Sequence, residues 1–323
     1  MMIAAMSLSL IHFAHAMQQK PVQREAVGTE LLMDRVGPPS DEAVGVFKYA
    51  GMEHVTPHVL TTPERAKVEA VLNSLPSLTK HLLMKKLHRL AFVDGIPGEG
   101  TGLTSPVAKT GSYDITLRAS IFDESFSTFL TTKERRVFTD DGSGTVVSVE
   151  GTGTDALTYV LLHESTHVMD RSCGLTASGT WLVGGIWSVE SDLAPQLSSS
   201  VAATTIFRGG SRIEVGKAVG LYEALSKTPF VTLYATASSS EDLAELVAWH
   251  EIQSQHHGNL IVVVSDSLGN TLQRWEPLTF PGVQKRFSVV DQLLASRLPC
   301  SGLSSIRKPT SRTPVRVRRY PGD

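Results

Sequence analysis

Apolar positions along this chain recur with two different spacings, and the switch between them predicts where helices and strands lie. From Ala156 to Met169 the run ALTYVLLHESTHVM is mostly apolar and free of Gly and Pro. Thr154 or Asp155 is placed to cap its start and Gly174 to stop it, so a buried helix is expected. Thr62-Pro63-Glu64-Arg65 opens a second helix, with Thr as cap and Pro at the first helical position, and its apolar face continues through Val68, Val71 and Leu72. A further helical stretch spans Leu78 to Leu87, after Pro76. His88 to Val93 and Tyr113 to Phe122 read as strands, and a turn at Asp140 to Gly144 separates two short β-prone runs. Leu260 to Val264 and Thr271 to Trp275 flank the turn SDSLGN and read as a β-hairpin. Serines at 238 to 240 cap a helix that begins near Glu241, and another helix covers Val215 to Leu225. The rest of 171–233, rich in Gly, Ser and small apolar residues with Trp181 and Trp187, shows no sustained period. The expected class is α+β, with a β-sheet beside the 156–169 helix.

Composition bounds this picture. With 323 residues and 41% hydrophobic content the chain can bury a substantial core, and a net charge of -2 provides no strong field for phosphates, which argues against a nucleic-acid partner. Met1 to Ala16 contains no charged residue and ends in Ala14-His15-Ala16, so it reads as a secretory signal peptide and implies an exported, periplasmic or extracellular protein. No later run is long enough for a membrane span. Residues 17–45 mix charge, Pro and Gly and read as a linker or arm, leaving 46–300 as the folded domain. Beyond it, 301–323 carries Arg307, Lys308, Arg312, Arg316, Arg318 and Arg319 against Asp323 and reads as a basic disordered tail. The two cysteines, Cys173 and Cys300, are too far apart for a C-x-x-C motif; in an oxidising compartment they can pair, the alternative being two free buried thiols.

The candidate chemistry sits in the first helix. His163-Glu164-Ser165-Thr166-His167 is an H-E-x-x-H pentapeptide, for which this composition expects about 0.02 chance matches. Residues four apart lie on one helical face, so both imidazoles can reach one metal ion while Glu164 points at whatever the metal holds; this is the pattern of a catalytic zinc site. Zinc needs a third protein ligand and leaves a fourth position open. Asp170 replaces the Gly of the metzincin continuation and Cys173 its His, which excludes that class. Asp170 lies one turn past His167, where it can accept from a ligand histidine. Glu241 and Glu245 fall on one face of the later helix, so that one can bind the metal and the other receive a histidine's outer N–H. Ser238 with Glu241 also fits a capping box that needs no metal. His250, His256 and His257 read as solvated groups near the end of that helix rather than a second metal site. No G-x-S-x-G elbow or cysteine-nucleophile signature is present.

An H-E-x-x-H followed at a distance by Tyr234, Glu241, Ala244 and Glu245, in the pattern Y-x(6)-E-x-x-A-E, resembles the gluzincin metallopeptidases, especially the group containing anthrax lethal factor and the Mlc-titration-factor-like peptidases. His167-Val168-Met169-Asp170 is similar to the H-x-[LM]-D continuation of the latter members. The resemblance implies a zincin-like fold whose second helix carries the third ligand. It implies one Zn2+ held by His163, His167 and Glu241, with Glu164 as general base and Tyr234 as an assisting phenol. The expected activity is hydrolysis of a peptide or protein substrate by metal-activated water. The alternatives are an exported non-catalytic binding scaffold of the same fold, or a zinc amidase acting on a cell-wall bond.

Overall fold

Residues 29–177, 180, 182–296 and 300 are described by the computed structural model. The expected signal peptide, residues 17–28 of the arm, and the basic tail lie outside them. In chain order the main elements are α1 (Asp41–Tyr49), β1 (Glu53–Pro57), α2 (Thr62–Ser74), α3 (Ser77–Lys86), β2 (Leu87–Ile96), β3 (Gly102–Val107), β4 (Ser112–Arg118) and α4 (Phe126–Arg135). They continue with β5 (Val146–Gly151), α5 (Ala156–Cys173), α6 (Ala218–Leu225), α7 (Ser239–His256), β6 (Leu260–Ser265), β7 (Thr271–Trp275) and α8 (Pro281–Leu294). This is a mixed α+β architecture.

A four-stranded sheet runs in the order β1-β2-β4-β3, with β2 and β4 parallel and the outer pairings antiparallel. A second sheet runs β7-β6-β5, antiparallel throughout, with Ile261 opposite Glu150 and Val262 opposite Val149. α5 lies at the centre: every residue from Ala156 to Asp170 is buried. A helix apolar on most sides must be covered on most sides, and α5 packs on α7, α3 and α2 and on the edge strand β3. Asp155 caps it by accepting from Thr158 N at 2.8 Å, and Gly174 ends it in the left-handed region at φ 61°.

Several expectations change at their ends. The α2 cap is Thr61, one residue before Thr62, because Thr61 and Glu64 stand at the spacing that closes a capping box. The strand expected over 113–122 stops at Arg118 and turns into a 3-10 helix over Ala119–Phe122, which carries Ala119, Ile121 and Phe122 into the core. α4 was not anticipated; Phe126, Phe129 and Leu130 supply one buried face beneath a Ser125 cap. The arm is docked from residue 29 onward. Leu32 and Met33 enter the core, and Arg35 donates to the carbonyls of Leu83, Met84 and Leu87.

The described part of region 171–233 includes short 3-10 turns, a ribbon pairing Trp187–Val189 with Asp192–Leu193, and α6. It is tied to the start of α7 by a buried anion. Asp242, with no exposed surface, receives Arg286 of α8 at 2.7 and 2.8 Å and the Trp187 indole at 2.9 Å. Cys173 and Cys300 form a disulfide, so of the two readings of these cysteines the structure has the bridge, joining the end of α5 to the chain beyond α8. Among the described residues no helix is long and apolar enough to cross a membrane.

Candidate metal centre

α5 and α7 cross so that three side chains from segments 74 positions apart meet. His163 Nε2 lies 3.0 Å from Glu241 Oε2 and 3.2 Å from His167 Nε2, and His167 Nε2 lies 3.4 Å from the same carboxylate oxygen. One ligand atom from each falls within 4.8 Å of the others. Two imidazole nitrogens and a carboxylate oxygen, all turned to one point, form a donor set suited to a borderline metal such as zinc. The capping-box alternative for Glu241 does not hold. Ser238 Oγ accepts from Glu241 N at 3.2 Å, but the Glu241 carboxylate reaches the two histidines. Its ordinary pKa is altered accordingly: burial pushes it up, but bonds to His163 and His167 outweigh this and hold it well below the usual carboxylate range.

The outer nitrogens have different partners. His167 Nδ1 lies 3.0 Å from Ser240 Oγ. Glu245 Oε1 is 3.3 Å from His163 Nδ1, off the line of a good hydrogen bond. Glu245 is fully buried and accepts from Lys133 Nζ at 2.9 Å, from the Tyr159 hydroxyl, and from Thr232 Oγ1 at 2.8 Å. Asp170 takes no part: its carboxylate accepts from Thr176 N and Oγ1, both at 2.8 Å, and closes the turn after α5. The reason is geometric, since Ser240 arrives from α7 directly against His167 whereas Asp170 lies further along the helix axis. His250 is not solvated as expected but buried, 3.0 Å from Glu251 and 2.9 Å from Asp291.

Glu164 is 6% exposed and is held from the side by β3. Thr104 Oγ1 donates to its Oε2 at 2.6 Å, and Arg171 Nη1 in turn donates to the Thr104 carbonyl at 2.5 Å. Gly102 leaves the room. A Cβ there would stand 2.6 Å from Glu164 Oε1. The glycine-rich segment 95–102 is therefore part of the site's wall, and Gly98 packs so closely on Ala50 and Gly51 backbone that no side chain fits. Gly102→Ala is expected to displace the Glu164 carboxylate and lower turnover about tenfold or more while leaving metal content unchanged; equal loss of metal would mean the whole centre had shifted.

Tyr234 sits in a 3-10 turn before α7, its ring 6.0 Å from that of His163 and 5.1 Å from Phe207, with Lys133 Nζ 4.2 Å from the ring centroid. Burial, then the charges of Glu241, Glu164 and Glu245, push its hydroxyl well above the usual range, so it remains a donor. A cavity of about 150 Å³ opens beside these groups, walled by Gly100 to Gly102, Phe129, Val160, Phe207 and Arg136 together with His163, Glu164 and Tyr234. Sequence reasoning missed Thr104, Gly102, Ser240, Lys133 and Thr232. Tyr159 had a signal, lying one turn before His163 on the same face.

Comparison with protein-family models, curated proteins and solved structures yields no significant match in any of the three. The functional reading therefore rests on the residues themselves.

Proposed function

We propose that this chain is a zinc-dependent metallopeptidase of the gluzincin type. The observation that carries the reading is the convergence of His163, His167 and Glu241 beside Glu164 at one end of an open cavity. Zinc bound there would supply Lewis acidity and lower the pKa of a water molecule. The chain's own groups do the rest. Glu164, aimed by Thr104 and Gly102, accepts the proton of the attacking water and hands it to the leaving amine. The Tyr234 hydroxyl donates to the carbonyl oxygen as negative charge develops on it. Ser240 and Glu245 orient the two imidazoles from behind.

A zincin-like fold is part of the same reading, supported by the sheet edge β3 lying against the H-E-x-x-H helix and by α7 contributing the carboxylate. Export is proposed with it: the uncharged, A-x-A-terminated start of the chain and the Cys173–Cys300 bridge both suit an oxidising compartment. The test is elemental analysis of the purified chain together with hydrolysis of a quenched-fluorescent peptide library. About one zinc per chain, with cleavage that a chelator removes and added zinc restores, is the expected result. A chain that takes up no zinc even on reconstitution leaves the binding-scaffold reading in its place.

A further inference from the structure

The cavity beside the metal centre contains a cation that forms no ion pair with the described residues of the chain. Arg136, at the end of α4, lines the same wall as His163, Glu164 and Tyr234. Its guanidinium donates to the backbone carbonyls of Glu99 and, at 3.2 Å, Gly98; the charges of Glu99 and Glu124 act on it from farther off, each carboxylate being paired with another arginine, Arg212 and Arg118. The neighbouring cations are all spoken for. Lys133 is paired with Glu245 at 2.9 Å, and Arg118 with Glu124. The Glu99 carboxylate, 74% exposed, stands at the rim 3.9 Å from Arg212. A half-buried guanidinium with only neutral acceptors retains donors and charge for an incoming anion, and its planar fork matches a carboxylate in two-point geometry. Phe129, Val160 and Phe207 line the cavity around it with apolar surface.

We infer that Arg136 is the specificity-determining residue of this cavity and that the preferred substrates are peptides presenting a carboxylate there. The carboxylate belongs either to an Asp or Glu side chain near the scissile bond or to the free C-terminus of the peptide. The inference rests on the peptidase reading for treating the cavity as a substrate site. Carbonyl tethers from Gly98 and Glu99 hold the guanidinium in place before substrate arrives, which limits the ordering that binding must impose.

The test is binding measured by calorimetry on the metal-free full chain, so that it does not depend on turnover. Probes are Ac-Ala-Ala-Glu-Ala-amide, its Gln counterpart, and Ac-Ala-Ala-Ala with a free or an amidated C-terminus. The Glu peptide or the free-acid peptide is expected to bind about tenfold or more tightly than its neutral partner, and which of the two does so identifies the source of the carboxylate. Arg136→Gln should abolish that preference, with an unchanged circular-dichroism spectrum and melting profile verifying that the variant is folded; Arg136→Lys should keep part of it. Equal binding of charged and neutral probes, no binding of any, or a preference that survives Arg136→Gln overturns the inference. Carboxylate selectivity in a chain that hydrolyses nothing would sink the peptidase reading alone, and hydrolysis without such selectivity would sink this inference alone.

Discussion

Glu164→Gln is expected to hold zinc at the wild-type level and to lose peptide hydrolysis by about 10²- to 10⁴-fold, the range over which a positioned proton acceptor acts. Gln occupies nearly the same volume, so the tight approach of Gly102 and the Thr104 hydroxyl, 2.6 Å from the present carboxylate oxygen, can be kept. An amide, however, cannot take a proton from water. The three groups proposed to hold the metal are untouched by the change, which separates loss of chemistry from loss of the centre. Zinc content and turnover measured on one preparation decide it. Turnover close to wild type would remove Glu164 from the mechanism, and a binding scaffold would show no functional loss at all.

Glu241→Ala attacks the centre itself. Outer partners of ligand histidines typically change metal affinity 10- to 100-fold, and removal of a ligand should exceed that, so the variant is expected to lose zinc during dialysis that wild type survives. Protons compete at the same place. Burial pushes the His163 imidazole down, but its bond to Glu241 and the charges of Glu241 and Glu245 prevail and raise it from 6.5 to about 10. His163 is then protonated at neutral pH, and zinc must displace that proton. Because the metal binds the deprotonated form, wild-type affinity should fall about tenfold for each pH unit lost below that pKa, per proton displaced. In Glu241→Ala one of the two carboxylates holding the proton is gone, so the pH dependence should weaken along with the affinity. Competition with a zinc-sensitive dye at several pH values reads both. Unchanged retention would shift the third-ligand role to Glu245, a poor candidate because Lys133, Tyr159 and Thr232 already occupy its oxygens.

Much of this arrangement was legible in the chain. The 156–173 helix announces itself through an apolar run with a cap at Asp155 and a glycine stop, all local interactions within four residues. The pairing of His163 with His167 follows from helical geometry alone. The hairpin of β6 and β7 and the start of α7 are read from equally local signals. Glu241 was legible only as one of two carboxylates, because sequence spacing places it and Glu245 on the same face; the crossing of α5 and α7 separates their positions, the first meeting both imidazole Nε2 atoms and the second lying behind His163.

What lay beyond the sequence was every relation across distance. Asp170 was a plausible acceptor by its place on the helix, yet a turn six residues on claims it through Thr176, while Ser240 reaches His167 from another helix. Thr104 and Gly102 carry no mark of their connection to Glu164, some 60 positions away, because the wall they form exists only when β3 packs on α5. The same holds for Arg286, which stabilises a buried Asp242 between α7 and α8. Local patterns specify helices, caps and the spacing of ligands along one face, since those interactions span a turn or less. The aim of Glu164, the choice among carboxylates and the cavity lined by Arg136 depend on which segments are packed together, and that is decided by burial of the whole core rather than by any one stretch of it.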